Sequence, residues 1–144
     1  MNKILFLDID GVCNSAKTFD KDPKDYFPLD KFMCFLVGKI QLDTGCEVVL
    51  SSSWRHHLEG IKTVEQKIVP ILDITPDLEV DSIRGDEIQE WLDEHPEVEK
   101  YAIIDDDDDM LPEQEENFFQ TDFQTGLTDE IAKKVIKHLN SPSN

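Results

Sequence analysis

Basic residues are scarce in this chain: Lys and Arg number 14 against 32 Asp and Glu, a formal net charge of −18. A field of that sign repels phosphate backbones and anionic membranes over about a Debye length. It argues against broad electrostatic binding of nucleic acid, while favouring divalent cations and solubility. Cysteine is sparse as well. Cys13, Cys34 and Cys46 are odd in number, widely spaced and set mostly among apolar residues, which fits buried reduced thiols and not a disulfide framework or a zinc site. No apolar run approaches the roughly 18 residues of a membrane span. Met1-Asn2-Lys3 passes straight into a strand-like segment without signal-peptide architecture. The expectation is a cytoplasmic protein with no membrane partner. There is no internal repeat and no linker, so residues 1–144 are expected to form one domain with a core of its own.

What is present is a series of short apolar runs that end in polar residues. Ile4-Leu5-Phe6-Leu7 leads into Asp8-Ile9-Asp10-Gly11, and Glu47-Val48-Val49-Leu50 leads into Ser51-Ser52-Ser53-Trp54-Arg55. Tyr101-Ala102-Ile103-Ile104 ends in a run of aspartates, Asp105 to Asp109. Apolar runs of this length read as buried parallel strands. Between them, Asp30 opens a stretch with Phe32, Phe35, Leu36 and Ile40 at helical spacing that Gly45 closes, predicting a helix over about 30–43. Ile88, Trp91 and Leu92 predict a second helix over 85–94, and Thr128 caps a closing helix bearing Ile131, Val135, Ile136 and Leu139. Ile68 to Ile74 reads as a third strand that Pro70 either pushes to an edge or shortens, and Phe118-Phe119 begins a last short one. Alternating strands and helices predict an α/β fold. It is a three-layer sandwich around a central, mainly parallel, Rossmann-like sheet, with ligands gathered at the carboxyl ends of the strands.

Three polar clusters are therefore expected at one end of the sheet: Asp8 and Asp10, Ser51 to Ser53 with Arg55, and Asp105 with Asp106. Two carboxylates from each of two strand ends make an oxygen-only set, and burying like charges together is costly unless a cation neutralises them. Mg²⁺ prefers few carboxylates plus water and a substrate phosphate, so the set points to phosphoryl chemistry. The aspartate run also places Asp105, Asp107, Asp109 and Glu116 at the spacing of a calcium loop. Met110 stands where such a loop needs glycine, and a strand precedes it where a helix is required. Asp107 to Asp109 read instead as a solvated acidic run. His56 and His57 read as exposed residues at a helix start, and Trp54 and Trp91 as packing residues.

The segment Phe6-Leu7-Asp8-Ile9-Asp10-Gly11-Val12 resembles the first motif of the haloacid dehalogenase (HAD) superfamily of phosphatases. The strand ending in serine is similar to the second motif, and the strand ending in Asp105-Asp106 to the fourth, in the same order. Ser52-Ser53-Trp54-Arg55, Arg84-Gly85-Asp86-Glu87-Ile88 and Gly126-Leu127-Thr128 further resemble the small HAD domains of nucleic-acid end-repair proteins. The resemblance implies an HAD-like fold and a Mg²⁺-dependent phosphomonoester hydrolase with Asp8 as the nucleophile that forms an aspartyl-phosphate. Asp10 would be the general acid and base and lend its backbone carbonyl to the metal. Asp106 would complete the direct ligands with Asp8, with Asp105 supporting them. Ser52, or failing that Ser51, would hydrogen-bond the phosphoryl oxygens beside backbone N–H groups of the loops at Gly11 and Ser53. Arg84 stands where the family's third motif usually has lysine, and Arg55 would clamp a substrate phosphate.

Only about forty residues separate the first two motifs, so residues 15–30 form at most a minimal cap or loop insertion. An open site suits the end of a large phosphorylated substrate, such as a 3′- or 5′-phosphate of nucleic acid or a phosphoprotein. Two other readings stay open. One is a non-catalytic acidic module or DNA mimic on the same fold; the other is a nucleotidase for small molecules.

Overall fold

The computed structural model describes residues 2–78 and 81–142. Strand β1 (Asn2–Leu7) is followed by the short helix α1 (Ala16–Lys21), helix α2 (Lys31–Thr44) and strand β2 (Glu47–Leu50). A 3₁₀ turn, Ser53–His56, runs into helix α3 (Leu58–Lys67) and the two-residue strand β3 (Asp73–Ile74). Helix α4 (Arg84–Asp93), strand β4 (Val98–Asp105), a second 3₁₀ segment (Pro112–Asn117), strand β5 (Phe118–Gln120) and helix α5 (Asp129–Asn140) complete the chain.

The strands form one parallel sheet in the order β3-β2-β1-β4-β5. Both faces are covered, and the strand sequences show how. Leu5 and Leu7 of β1, Val48 and Leu50 of β2, and Ala102 and Ile104 of β4 face the core shared with α2, α3 and α5. The intervening Ile4, Phe6, Val49 and Ile103 pack with Ile88 and Trp91 of α4 on the opposite face. Because side chains alternate along a strand, an apolar run is what a doubly covered sheet requires.

Helix ends are set by local chemistry. The Asp30 carboxylate accepts from Met33 N at 3.0 Å to start α2, and Gly45, at φ 72°, ends it by donating its N–H to Gln41 O. Thr128 caps α5 through Ile131 N. Among the described residues no helix is long and apolar enough to cross a membrane.

The strand order reverses between β1 and β4, so the crevice at their carboxyl ends is a topological switch point of the kind that holds ligands in open α/β sheets. The register pairs Leu7 with Leu50 on one side and Ile104 on the other. The next residues, Asp8, Ser51 and Asp105, are therefore brought to the same level.

The third strand is shorter than the reading of Ile68 to Ile74. Helix α3 runs to Lys67, Pro70 has no N–H to give a ladder, and only Asp73–Ile74 pairs with β2. Residues 15–30 hold α1 and irregular chain.

Candidate active site

Asp8, at the end of β1, and Asp105 and Asp106, at the end of β4, each offer a carboxylate oxygen, and the three oxygens lie within 4.8 Å of one another. Asp8 and Asp105 are buried, at 7% and 2% exposure. Burial pushes the Asp8 carboxyl well above the usual carboxylate range, the neighbouring Asp105 pushes it further, and Arg84 opposes both. Burial likewise raises Asp105, to about 6, against the N–H of Asp107 and the charge of Arg84. Asp106 is raised by the same cause. Without a cation the Asp8–Asp105 pair is best satisfied by sharing a proton. Three hard oxygen donors that are costly to ionise together form a set that a divalent cation such as Mg²⁺ fits.

Gly11 makes this crowding possible. Its φ of +81° favours glycine, and a Cβ there would overlap the Asp106 carboxylate. The loop is fastened at Gly11 O, which accepts from Thr121 Oγ1 at 2.6 Å.

The Asp10 side chain lies outside this carboxylate triad. Its Oδ1 accepts from Trp54 Nε1 at 3.1 Å and from Asn14 Nδ2 at 3.0 Å. Asn14 is fully buried and also accepts from Gly11 N at 2.9 Å and donates to Pro28 O at 2.9 Å. It thus joins the loop after Asp8 to the chain entering α2. Asn14 carries no signal of its own in the sequence, being one polar residue in a loop. Trp54 packs against Phe27 with ring centroids 4.9 Å apart, as a packing residue should, but also contacts a site carboxylate.

The serines separate by their partners. Ser52 Oγ accepts from Trp54 N at 3.1 Å, capping the 3₁₀ turn. Ser51 is bonded through its N–H to Leu7 O at 3.0 Å, directly beside Asp8, and its buried hydroxyl has no partner. Ser51 therefore has the free hydroxyl, whereas the sequence favours Ser52. Ser53 is exposed and lines the groove that contains Asp10.

Of the two arginines, only Arg55 differs from expectation. Arg55 is not placed as a phosphate clamp. Its guanidinium donates from Nε to Thr75 O, from Nη1 to Ser51 O and Ser52 O, and from Nη2 to Glu87 Oε2 at 2.8 Å, which leaves the Arg55 side chain 4% exposed. It binds the serine loop to α4. Arg84, at the first position of α4, acts electrostatically on both Asp8 and Asp105. Its Nε lies 3.7 Å from Glu87 Oε1 and its buried Nη1 has no partner. Such an unpaired donor costs about 1–3 kcal/mol and is a ready partner for an anion. Asp109 does not belong to the solvated run. Its Oδ2 accepts from Arg84 N at 3.2 Å and its carbonyl from Gly85 N at 3.0 Å, so it caps α4. Asp107 and Asp108 are exposed.

Comparison with known proteins gives one family. The family described as the HAD domain in Swiss Army Knife RNA repair proteins matches residues 4–132, from β1 into the first turn of α5. Neither a curated protein nor a solved structure gives a match.

Proposed function

Because this chain belongs to the family of HAD domains found in Swiss Army Knife RNA repair proteins, we propose that it is a Mg²⁺-dependent phosphomonoester hydrolase that removes terminal phosphates from nucleic acid through an aspartyl-phosphate. The observation that carries this reading is the convergence of Asp8, Asp105 and Asp106 within 4.8 Å at the switch point of the sheet. Asp8 and Asp106 would hold the ion directly, with Asp105 in support and the Asp10 carbonyl as a further donor. When bound, Mg²⁺ would offset the negative charge of the phosphate and so let a carboxylate approach it.

The residues then divide the work. Asp8 attacks phosphorus, the P–O bond to the leaving group breaks, and Asp10 gives its proton to the departing oxygen. Asp10, now a carboxylate, takes a proton from the water that attacks the aspartyl-phosphate. Inorganic phosphate leaves and Asp8 is restored. The unpartnered hydroxyl of Ser51 and the unpartnered Nη1 of Arg84 are the donors we assign to the phosphoryl oxygens, with N–H groups around Gly11 and Ser53.

Hydrolysis of p-nitrophenyl phosphate with and without Mg²⁺ tests the class of reaction. Activity that needs Mg²⁺ and falls by at least about 10³-fold in Asp8→Asn, with the circular dichroism unchanged, is the expected result. Activity that survives the substitution would move the nucleophile elsewhere, and none in the wild type would favour a non-catalytic acidic module on this fold.

A further inference from the structure

A groove of about 740 Å³ opens beside Asp10, Ser53 and Trp54, bounded by the segment before α2 and the start of α3. Asp10 is the group assigned to protonate the departing oxygen, so whatever fills this groove is the leaving group; the inference below rests on that assignment. Aromatic rings form part of its walls. Phe27 lies edge-on to Trp54 at 4.9 Å and 6.4 Å from the His57 ring, and Tyr26 stands at the rim with 90% of its surface exposed. Charge restricts the contents further. Lys24 is the one lysine lining the groove, while Asp10, Asp25 and Glu59 line it too. Such a groove accepts a neutral planar group and repels a second phosphate held deep inside.

We infer that this groove receives the base of the nucleoside that bears the terminal phosphate, with Tyr26 as its stacking surface. The next phosphodiester of the strand would lie outside. A strand end is then recognised by one base face, without the broad basic surface that this acidic chain lacks. Stacking of a base on an aromatic ring is sequence-tolerant, because every base has a π-face.

The test compares oligonucleotides whose terminal phosphate, 3′ or 5′, sits on a normal or an abasic nucleoside, with glycerol phosphate and a phosphoserine peptide as further substrates. Wild-type enzyme should prefer the base-bearing end over the abasic one by at least about five-fold in kcat/KM, the low end of a stacking contribution. Tyr26→Ala should bring that ratio close to one, Tyr26→Phe should keep it, and Phe32→Ala, on the exposed side of α2, should leave it unchanged. Equal rates on normal and abasic ends, a ratio that survives Tyr26→Ala, or a faster rate on the phosphopeptide would each overturn the inference while leaving the hydrolase intact.

A second measurement does not need turnover. In Asp8→Asn protein, adenosine monophosphate should quench tryptophan fluorescence and lose that effect in Tyr26→Ala. Quenching without any hydrolysis by the wild type would retain the groove and remove the catalytic reading instead.

Discussion

At the scale of single residues, the orientation of Asp10 is the feature that depends on most neighbours. Trp54 Nε1 and Asn14 Nδ2 both donate to the same oxygen, Oδ1, so Oδ2 is the oxygen left to carry a proton towards a leaving group. Trp54 is thus a positioning residue. Trp54→Phe keeps the ring contact with Phe27 but loses the hydrogen bond. It is expected to lower kcat about ten-fold for an alkyl phosphate, where the leaving oxygen needs its proton, and much less for p-nitrophenyl phosphate, where it does not. KM should change little. An equal loss on both substrates would show that the indole only supports the fold.

At the scale of elements, the serine loop and α4 are joined by one buried ion pair. Arg55 and Glu87 meet at 2.8 Å, and Glu87 also faces Arg84, so the pair sets the register between the 3₁₀ turn and the helix that presents Arg84. Arg55→Ala would leave the buried Glu87 with only the longer contact to Arg84, at a cost of up to about 3–5 kcal/mol. Urea unfolding should show that loss directly. A variant of native stability with only a raised KM would return Arg55 to the role of phosphate clamp.

The same pair shows where sequence reading stops. β1, β2 and β4 were legible because apolar runs ending in polar residues have few other solutions, and α2 and α5 because Asp30 and Thr128 cap them in a recognisable way. The carboxylates at the strand ends followed from that. The destination of Arg55 was not legible, since it depends on Glu87, 32 residues further on, and no local pattern links them. Asp109 was hidden in a run of identical residues, where only the fold selects which one reaches the start of α4. Helix α3 went unread although Leu58, Ile61 and Val64 recur three residues apart, since its buried face is small, Gly60 and Val64. The one-residue difference between Ser51 and Ser52 needed the register of β2 against β1.

At the scale of the whole molecule, the acidic excess and the buried carboxylates act together. Asp105 holds its proton up to about pH 6 in the metal-free folded chain, against about 3.9 for an unfolded aspartate. The folded state therefore binds more protons between these values. This contribution to stability is complete below about pH 4 and is lost as pH rises through 6, by roughly 3 kcal/mol. The difference in unfolding free energy between wild type and Asp105→Asn, measured in EDTA, should shift in favour of the variant across that window. Added Mg²⁺ should recover the wild type at pH 7 and do little at pH 4, where the ligands are protonated. A wild type that gains on the variant as pH rises would mean that the three carboxylates are not confined together.

Whether Asp8 forms a covalent bond to phosphorus is the claim on which the remaining roles depend. Acid quenching during turnover followed by borohydride reduction, which converts an acyl-phosphate of aspartate to homoserine, reads this out by peptide mass spectrometry. Homoserine is expected at position 8 and nowhere else, only when substrate and Mg²⁺ are both present. Phosphate release with an unmodified aspartate at position 8, under quench conditions that preserve acyl-phosphates, would contradict it.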